Sequence, residues 1–241
     1  MAAPLIESAI ARIRELILAG ELRPGSRLPA EPELAKQLGT SRNTAREAVR
    51  ALITARVLDV RRGDGTYVTS LRPELLLEGL GFAIDLVQDD SLLDLVEVRM
   101  LLEPAATALA AARIDDAGLA ELRACLDAMH EVRDRPEELI LRDADFHACV
   151  ARATGNQALA SMLTAVSSRT QRARAWRGQQ VPGSSDRTLA EHGAILDAIA
   201  TRDARLAESV AAVHVATTRD WVASALQKVL DDDAGSRRDT A

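Results

Sequence analysis

Three of the four histidines in this 241-residue chain are spaced so that they can share one site. Asp143 and His147 stand four residues apart, which on a helix puts both side chains on one face. His192 lies on a later helical segment. His214 follows a break at Thr201-Arg202-Asp203 that lets the chain double back. Asp143, His147, His192 and His214 can therefore converge inside a bundle. One carboxylate and three imidazoles suit a divalent first-row metal such as zinc, nickel or manganese. An Asp and a His four apart also arise as an ordinary surface ion pair, and spacing alone leaves both readings open. A metal held by four protein atoms keeps coordination positions for a carboxylate or hydroxyl, which points to a small organic acid as the ligand.

Other residues could serve the same cavity. Arg99 sits among apolar neighbours, and two roles are open to it: an ion pair with Glu103, four residues on, or a fork for the ligand's carboxylate. Thr188 and Arg219 lie about one turn from His192 and His214. Trp176, one of two tryptophans, either packs in the core or walls the cavity. The arginines beside it, Arg169, Arg172, Arg174 and Arg177, read as a solvated face. His130 falls outside the pattern and reads as surface. Cys125 and Cys149 lack CxxC spacing and read as packing residues in a reducing compartment. A catalytic metal site, of a hydrolase or lyase, is the competing reading. It lacks a general base placed as in HExxH, because Glu191, next to His192, projects elsewhere. A third reading is a sensor in which the metal itself is the signal.

A second chemistry lies near the N-terminus. Glu31 to about Leu38 reads as a short helix, and Ser41 as the N-cap of a helix from Arg42 to about Ala55. Ala45, Ala48, Val49, Leu52 and Ile53 form its buried side. Arg42, Asn43, Thr44, Arg46 and Arg50 are left for other surfaces. Arg can bond guanine bidentately, Asn can bond adenine, and a helix N-terminus suits phosphate. The β-prone pieces Val57–Val60 and Thr66–Thr69 flank Arg61-Arg62-Gly63-Asp64-Gly65, a hairpin tip with two cations and two glycines that let backbone approach a duplex. Together these are the parts of a winged helix-turn-helix that reads double-stranded DNA.

Composition agrees with that division. Residues 1–72 carry a net charge of +4 and the remainder −10, so only the first part suits a polyanion. Aromatics are 2% of the chain, which excludes a base-stacking RNA module, while abundant Ala, Leu and Arg favour helices. The expected fold is mostly α: an N-terminal winged helix-turn-helix over 1–72, an antiparallel α-helical bundle over 73–230, and a polar, disordered tail over 231–241. Helices are expected near 5–19, 74–88, 91–112, 116–134, 136–153, 156–177, 186–200 and 203–229. The segment 21–31, with Pro24-Gly25 at its centre, reads as a turn-rich connection. No stretch approaches the ~18 apolar residues of a membrane helix, and the N-terminus lacks an apolar signal core, so a cytoplasmic location is expected.

The N-terminal pattern resembles the DNA-binding domain of the GntR family of bacterial regulators. It is carried by Pro24-Gly25, Leu28-Pro29, Glu31, Glu33-Leu34-Ala35, Ser41-Arg42, Arg46-Glu47-Ala48, Leu52, Gly63, Gly65-Thr66 and Val68. Two departures stand out. An arginine usual in the family is here Pro32, and a glycine usual just before the first wing strand is here Arg56. Residues 92–222 resemble the FCD ligand-binding domain of the FadR subfamily. The carriers are Glu97-Val98-Arg99, Leu102-Glu103-Pro104, Asp143 with Phe146-His147, Gly155-Asn156, Glu191-His192 with Ile195, Ala198-Ile199, and His214. The resemblance implies a homodimer on a palindromic operator, acting as a repressor, and a metal held by Asp143, His147, His192 and His214 beside the effector. The combination of EVR…LEPA, RTLAEH and TTR is similar to regulators of sugar-acid use, of the galactonate-responsive kind.

Overall fold

The computed structural model describes residues 2–86, 91–180 and 183–238. The chain divides between Gly79 and Leu80 into two compact units. Residues 73–79, assigned above to the second domain, cluster with the first.

In the first unit, α1 (Ala2–Leu18) lays Ala9 and Ile13 against α3 (Arg42–Thr54), which buries Ala45, Ala48 and Leu52. Between them, α2 (Glu31–Gln37) carries Pro32 in its first turn, where a missing N–H leaves nothing unsatisfied. Ser41 caps α3 by accepting from the Thr44 N–H at 3.1 Å, and its hydroxyl also meets that of Thr44 at 2.8 Å. β1 (Leu58–Arg61) and β2 (Gly65–Val68) pair antiparallel, Leu58 opposite Val68 and Arg61 opposite Gly65. The turn-rich stretch before α2 does more than connect. Gly25 N–H donates to the Val68 carbonyl, Leu28 N–H to that of Thr66 and Val68 N–H to that of Ser26, so this segment lines the other edge of β2. Leu28, Leu34, Leu58 and Val68 close one apolar core under the helices.

In the second unit, α6 (Leu92–Arg113) packs against four others: α8 (Pro136–Ala153), α9 (Gln157–Gln180), α10 (Ser184–Ala200) and α11 (Ala204–Arg238). α7 (Asp116–Glu131) packs on α8 and α10. The central place of α6 explains why it is apolar on most of its faces. Helix starts are capped by Asp115, Asn156 and Asp203, whose side chains accept from Gly118, Leu159 and Leu206 N–H groups at 2.7, 3.2 and 3.0 Å. Arginines tie the turns together: Arg202 donates to the Ile114 carbonyl at 2.6 Å, and Arg113 to that of Thr154 at 2.7 Å.

Three expectations need correction. The helix expected over 74–88 is two, α4 (Pro73–Leu76) and α5 (Glu78–Asp85), parted at Leu77 where Gly79 and Gly81 weaken helix propensity; 87–90 lie outside the described residues. Within the break expected over 178–185, α9 runs on to Gln180 and α10 begins at Ser184, with Gly183 at φ 74°; 181–182 lie outside the described residues. α11 runs on to Arg238, through part of the expected tail, since extending an existing helix requires no new nucleus.

Arg56, at the end of α3, adopts φ 60°, the left-handed conformation that a glycine enters without a Cβ penalty. The family's usual glycine therefore has a backbone reason, and this chain carries the strain. Arg56→Gly is expected to stabilise the unit by roughly 0.5–1 kcal/mol, the relief exceeding the entropy that glycine adds to the unfolded chain. Urea unfolding of the full chain would show this as a higher midpoint at unchanged slope; a lower midpoint would mean that side-chain contacts of Arg56 outweigh the strain.

Candidate metal centre and nucleic-acid interface

Asp143 and His147 come from α8, His192 from α10 and His214 from α11, and all four meet in the interior of the second unit. His192 Nε2 lies 3.1 Å from Asp143 Oδ1 and 3.2 Å from His147 Nε2, and Asp143 Oδ1 is 3.8 Å from His147 Nε2. The three imidazoles offer nitrogens all within 4.8 Å of one another. Phe146 backs the cluster edge-on, its ring centroid 4.7 Å from that of His192.

The outward nitrogens determine the protonation inside. His192 Nδ1 lies 2.7 Å from the Thr188 carbonyl, which can only accept, so Nδ1 carries the proton. His214 Nδ1 donates to the Glu191 carboxylate at 2.8 Å. His214 Nε2 is buried and has no hydrogen-bond partner. Burial pushes His214 below its ordinary value, with the Glu191 hydrogen bond opposing, and pushes His147 well below, with Glu103 and Asp143 opposing. Neutral imidazoles with bare nitrogens thus face inward beside a carboxylate. A proton on His147 Nε2 would relieve its contact with His192, and an ion among the nitrogens and the Asp143 oxygen would relieve all of them. The donor set fits a divalent ion: three borderline nitrogens, one hard oxygen, and carbonyl and carboxylate partners behind two of the imidazoles.

Of the two roles open to Arg99, the ion pair is the one formed. Its guanidinium, fully buried on α6, donates to both Glu103 oxygens at 2.6 and 3.2 Å and to Thr170 Oγ1 at 2.9 Å. Burial works to raise the Glu103 carboxyl, but Arg99 and then His147 outweigh it and hold Glu103 well below the usual carboxylate range. Glu103 Oε2 is 3.9 Å from His147 Nδ1. A cavity of about 70 Å³ opens here, lined by Glu103, Thr107, His147, Thr164 and Ser167 among others.

Thr188 enters the site through its backbone carbonyl. Arg219 is half-exposed and bonded to Asp220 at 2.6 Å, rather than turned toward the metal ligands. Trp176 lies outside the residues whose side chains are described. Two participants went unrecognised in the sequence. Glu191 indeed projects away from the His192 ligand face, but it does so onto His214. Glu103 was seen only as a partner for Arg99. For both, the signal was an acidic residue falling inside a helix that otherwise buries apolar side chains.

In the first unit, Arg42 and Asn43 stand exposed in the first turn of α3. Arg46 reaches Glu31 of α2 at 2.8 Å, and Arg50 pairs with Glu47 at 3.0 Å, all half-exposed. Thr44 spends its hydroxyl on Ser41. At the wing, Arg61 lies over the Tyr67 ring at 4.1 Å and Arg62 is exposed. Gly63 turns at φ 75°, and a Cβ on Gly65 would meet Arg27 Nε at 2.7 Å. Arg27 also donates to the Asp64 carbonyl, and Tyr67 to the Asp64 carboxylate at 2.6 Å. The tip is therefore a braced projection bearing two cations.

Comparison with known proteins places both units. Residues 5–68 match the bacterial regulatory proteins of the gntR family, and residues 94–217 match the FCD domain. The galactonate operon transcriptional repressor of Escherichia coli is 33% identical over 208 residues, covering 84% of this chain and 90% of that protein. The transcriptional regulator LutR of Bacillus subtilis is 30% identical, covering 85% and 95%. Among solved structures, a Streptococcus agalactiae GntR protein superposes with a TM-score of 0.63 at 32% identity, covering 89% of this chain and 99% of its own. The chain belongs to the GntR family of bacterial regulatory proteins, in the branch with an FCD domain, and is a transcriptional regulator rather than an enzyme.

Proposed function

We propose that this regulator is a repressor whose operator binding is controlled by a small organic acid, bound beside a divalent metal in the helical unit. The observation that carries the reading is the convergence of Asp143 Oδ1 with the imidazole nitrogens of His147, His192 and His214, two of them backed by Thr188 and Glu191. Zinc, nickel or manganese would be held by these four residues and would supply a Lewis-acid anchor for a carboxylate and an adjacent hydroxyl. The galactonate repressor relative suggests the ligand class, a sugar acid, which has both groups on neighbouring carbons. Thr107, Thr164 and Ser167 offer the cavity hydroxyls for the rest of such a molecule. Two winged domains of a cytoplasmic homodimer would read a palindromic operator, Arg42 and Asn43 at base edges and Arg61 and Arg62 on phosphate. Occupancy of the helical unit would favour a dimer state whose paired winged domains no longer match both half-sites; a 100-fold switch requires about 3 kcal/mol of preference.

Elemental analysis tests the centre. His147→Ala and His192→Ala are expected to emerge without metal, and Glu191→Ala to bind it about 10–100-fold more weakly, because the outer carboxylate orients His214. Unchanged metal content in both histidine variants would sink the site.

A thermal-shift screen of aldonic and other 2-hydroxy acids tests the ligand. Stabilisation is expected with metal present and absent after chelation, growing with ligand concentration as mass action requires. A metal that alone switches operator affinity, with no acid having any effect, would instead make the protein a metal sensor.

On the DNA side, Arg42→Ala is expected to weaken an operator selected from random duplexes by roughly 10–100-fold, at 1–3 kcal/mol for a lost bidentate base contact. Retained specific footprints at moderate salt would remove Arg42 from the reading helix.

A further inference from the structure

Outside the metal centre, the most unusual pair of atoms in the bundle is sulfur. Cys125 on α7 and Cys149 on α8 place their Sγ atoms 2.8 Å apart, with both thiols reduced. That is closer than sulfurs merely packed together, and within about 0.8 Å of a disulfide bond length. The two side chains are therefore already directed at each other, and bonding requires only a small approach of helices that are already in register. Their surroundings differ in a useful way. Cys149 is buried, while Cys125 is only partly so and can meet a small solute. Arg152 donates to Cys149 Sγ at 3.0 Å and to Glu121 Oε1 at 2.7 Å, and the Cys149 thiol faces the same Glu121 oxygen at 3.7 Å. A cation and a carboxylate thus flank Cys149 Sγ, the sulfur that must act as nucleophile once its partner has been oxidised.

We infer that Cys125 and Cys149 form a reversible redox dithiol, closed by peroxide into an intramolecular disulfide that clamps α7 to α8. Hydrogen peroxide oxidises the accessible Cys125 thiol to a sulfenic acid, releasing one water. Cys149 sulfur then attacks Cys125 sulfur, its proton leaves with the hydroxyl as a second water, and the S–S bond forms. Two thiols are oxidised by two electrons and one peroxide is reduced to two waters. A dithiol reductant reverses the reaction by exchange. The clamp would fall on α8, two residues from His147, joining the mobility of that helix to α7.

The test uses the full chain, reduced and then exposed to a modest excess of hydrogen peroxide. Free thiols are trapped with an alkylating agent, and the protein is digested without reductant. The expected result is loss of both alkylatable thiols and a Cys125–Cys149 linked peptide, lighter by two hydrogens, within monomeric chains. Dithiothreitol should restore both thiols. Cys125→Ser, at the less buried position, should keep its fold by circular dichroism and give no linked peptide. Thiols that stay alkylatable under peroxide, a link found only between chains, or over-oxidation of Cys125 with Cys149 untouched would each overturn the proposal.

Discussion

The second unit is organised by an electrostatic demand. Asp143 Oδ1 and the His147 Nε2 atom approach His192 Nε2 to 3.1 and 3.2 Å, with His214 within 4.8 Å of the other imidazoles, while the Nδ1 protons of His192 and His214 are committed to outward acceptors. Such a cluster costs free energy unless a positive centre lies within it, since unpaired polar atoms removed from water are penalised heavily. The charges nearby point the same way. Asp143, Glu103 and Glu191 are buried or nearly so, and among the described residues Arg99 is a buried cation, paired with Glu103. The three ligand-bearing helices are held around α6, and Phe146 and Ile195 pack the same elements into one apolar core.

Within that arrangement the Arg99–Glu103 pair is not explained by stability alone. Desolvating both groups costs several kcal/mol, and an apolar pair of like volume would often serve as well. What the pair achieves is placement. It keeps Glu103 ionised 3.9 Å from His147, and through Thr170 it links α6 to α9. A ligand carboxylate entering there would find the guanidinium already engaged with Glu103 and Thr170.

Much of this was legible in the chain, for physical reasons specific to each part. The four-residue spacing of Asp143 and His147 fixes a shared helix face whatever the tertiary structure, and caps such as Ser41 and Asp115 announce helix starts locally. Ion-pair choices were not legible in the same way. Arg99 had two chemically reasonable partners, and only the packing of α6 into the centre decides between them. Glu191 was judged by the ligand face of its neighbour His192; the approach of α11, which brings His214 within reach, is a long-range fact that local spacing does not carry. Arg219 shows the converse limit, since one turn from His214 in sequence places it near the site but says nothing of which side of α11 is buried. The sulfur pair joins α7 and α8 between residues 24 positions apart and leaves no periodic trace.

The two departures from the family pattern act on the DNA-reading unit through different physics. Arg56 is a backbone matter: a side chain occupies a left-handed position where glycine is free. Pro32 is a matter of contacts. It replaces a cation at the start of α2, on the side where Glu31 draws Arg46 across from α3. The Arg46–Glu31 pair is half-exposed on both sides, and surface pairs of this kind contribute little to stability. Arg46 can therefore exchange Glu31 for a phosphate at small expense, which supplies from α3 the charge that α2 lacks. In the proposed complex base reading then falls to the first turn of α3, while the wing, where Tyr67, Asp64 and Arg27 brace the tip that carries Arg61 and Arg62, offers charge to phosphate.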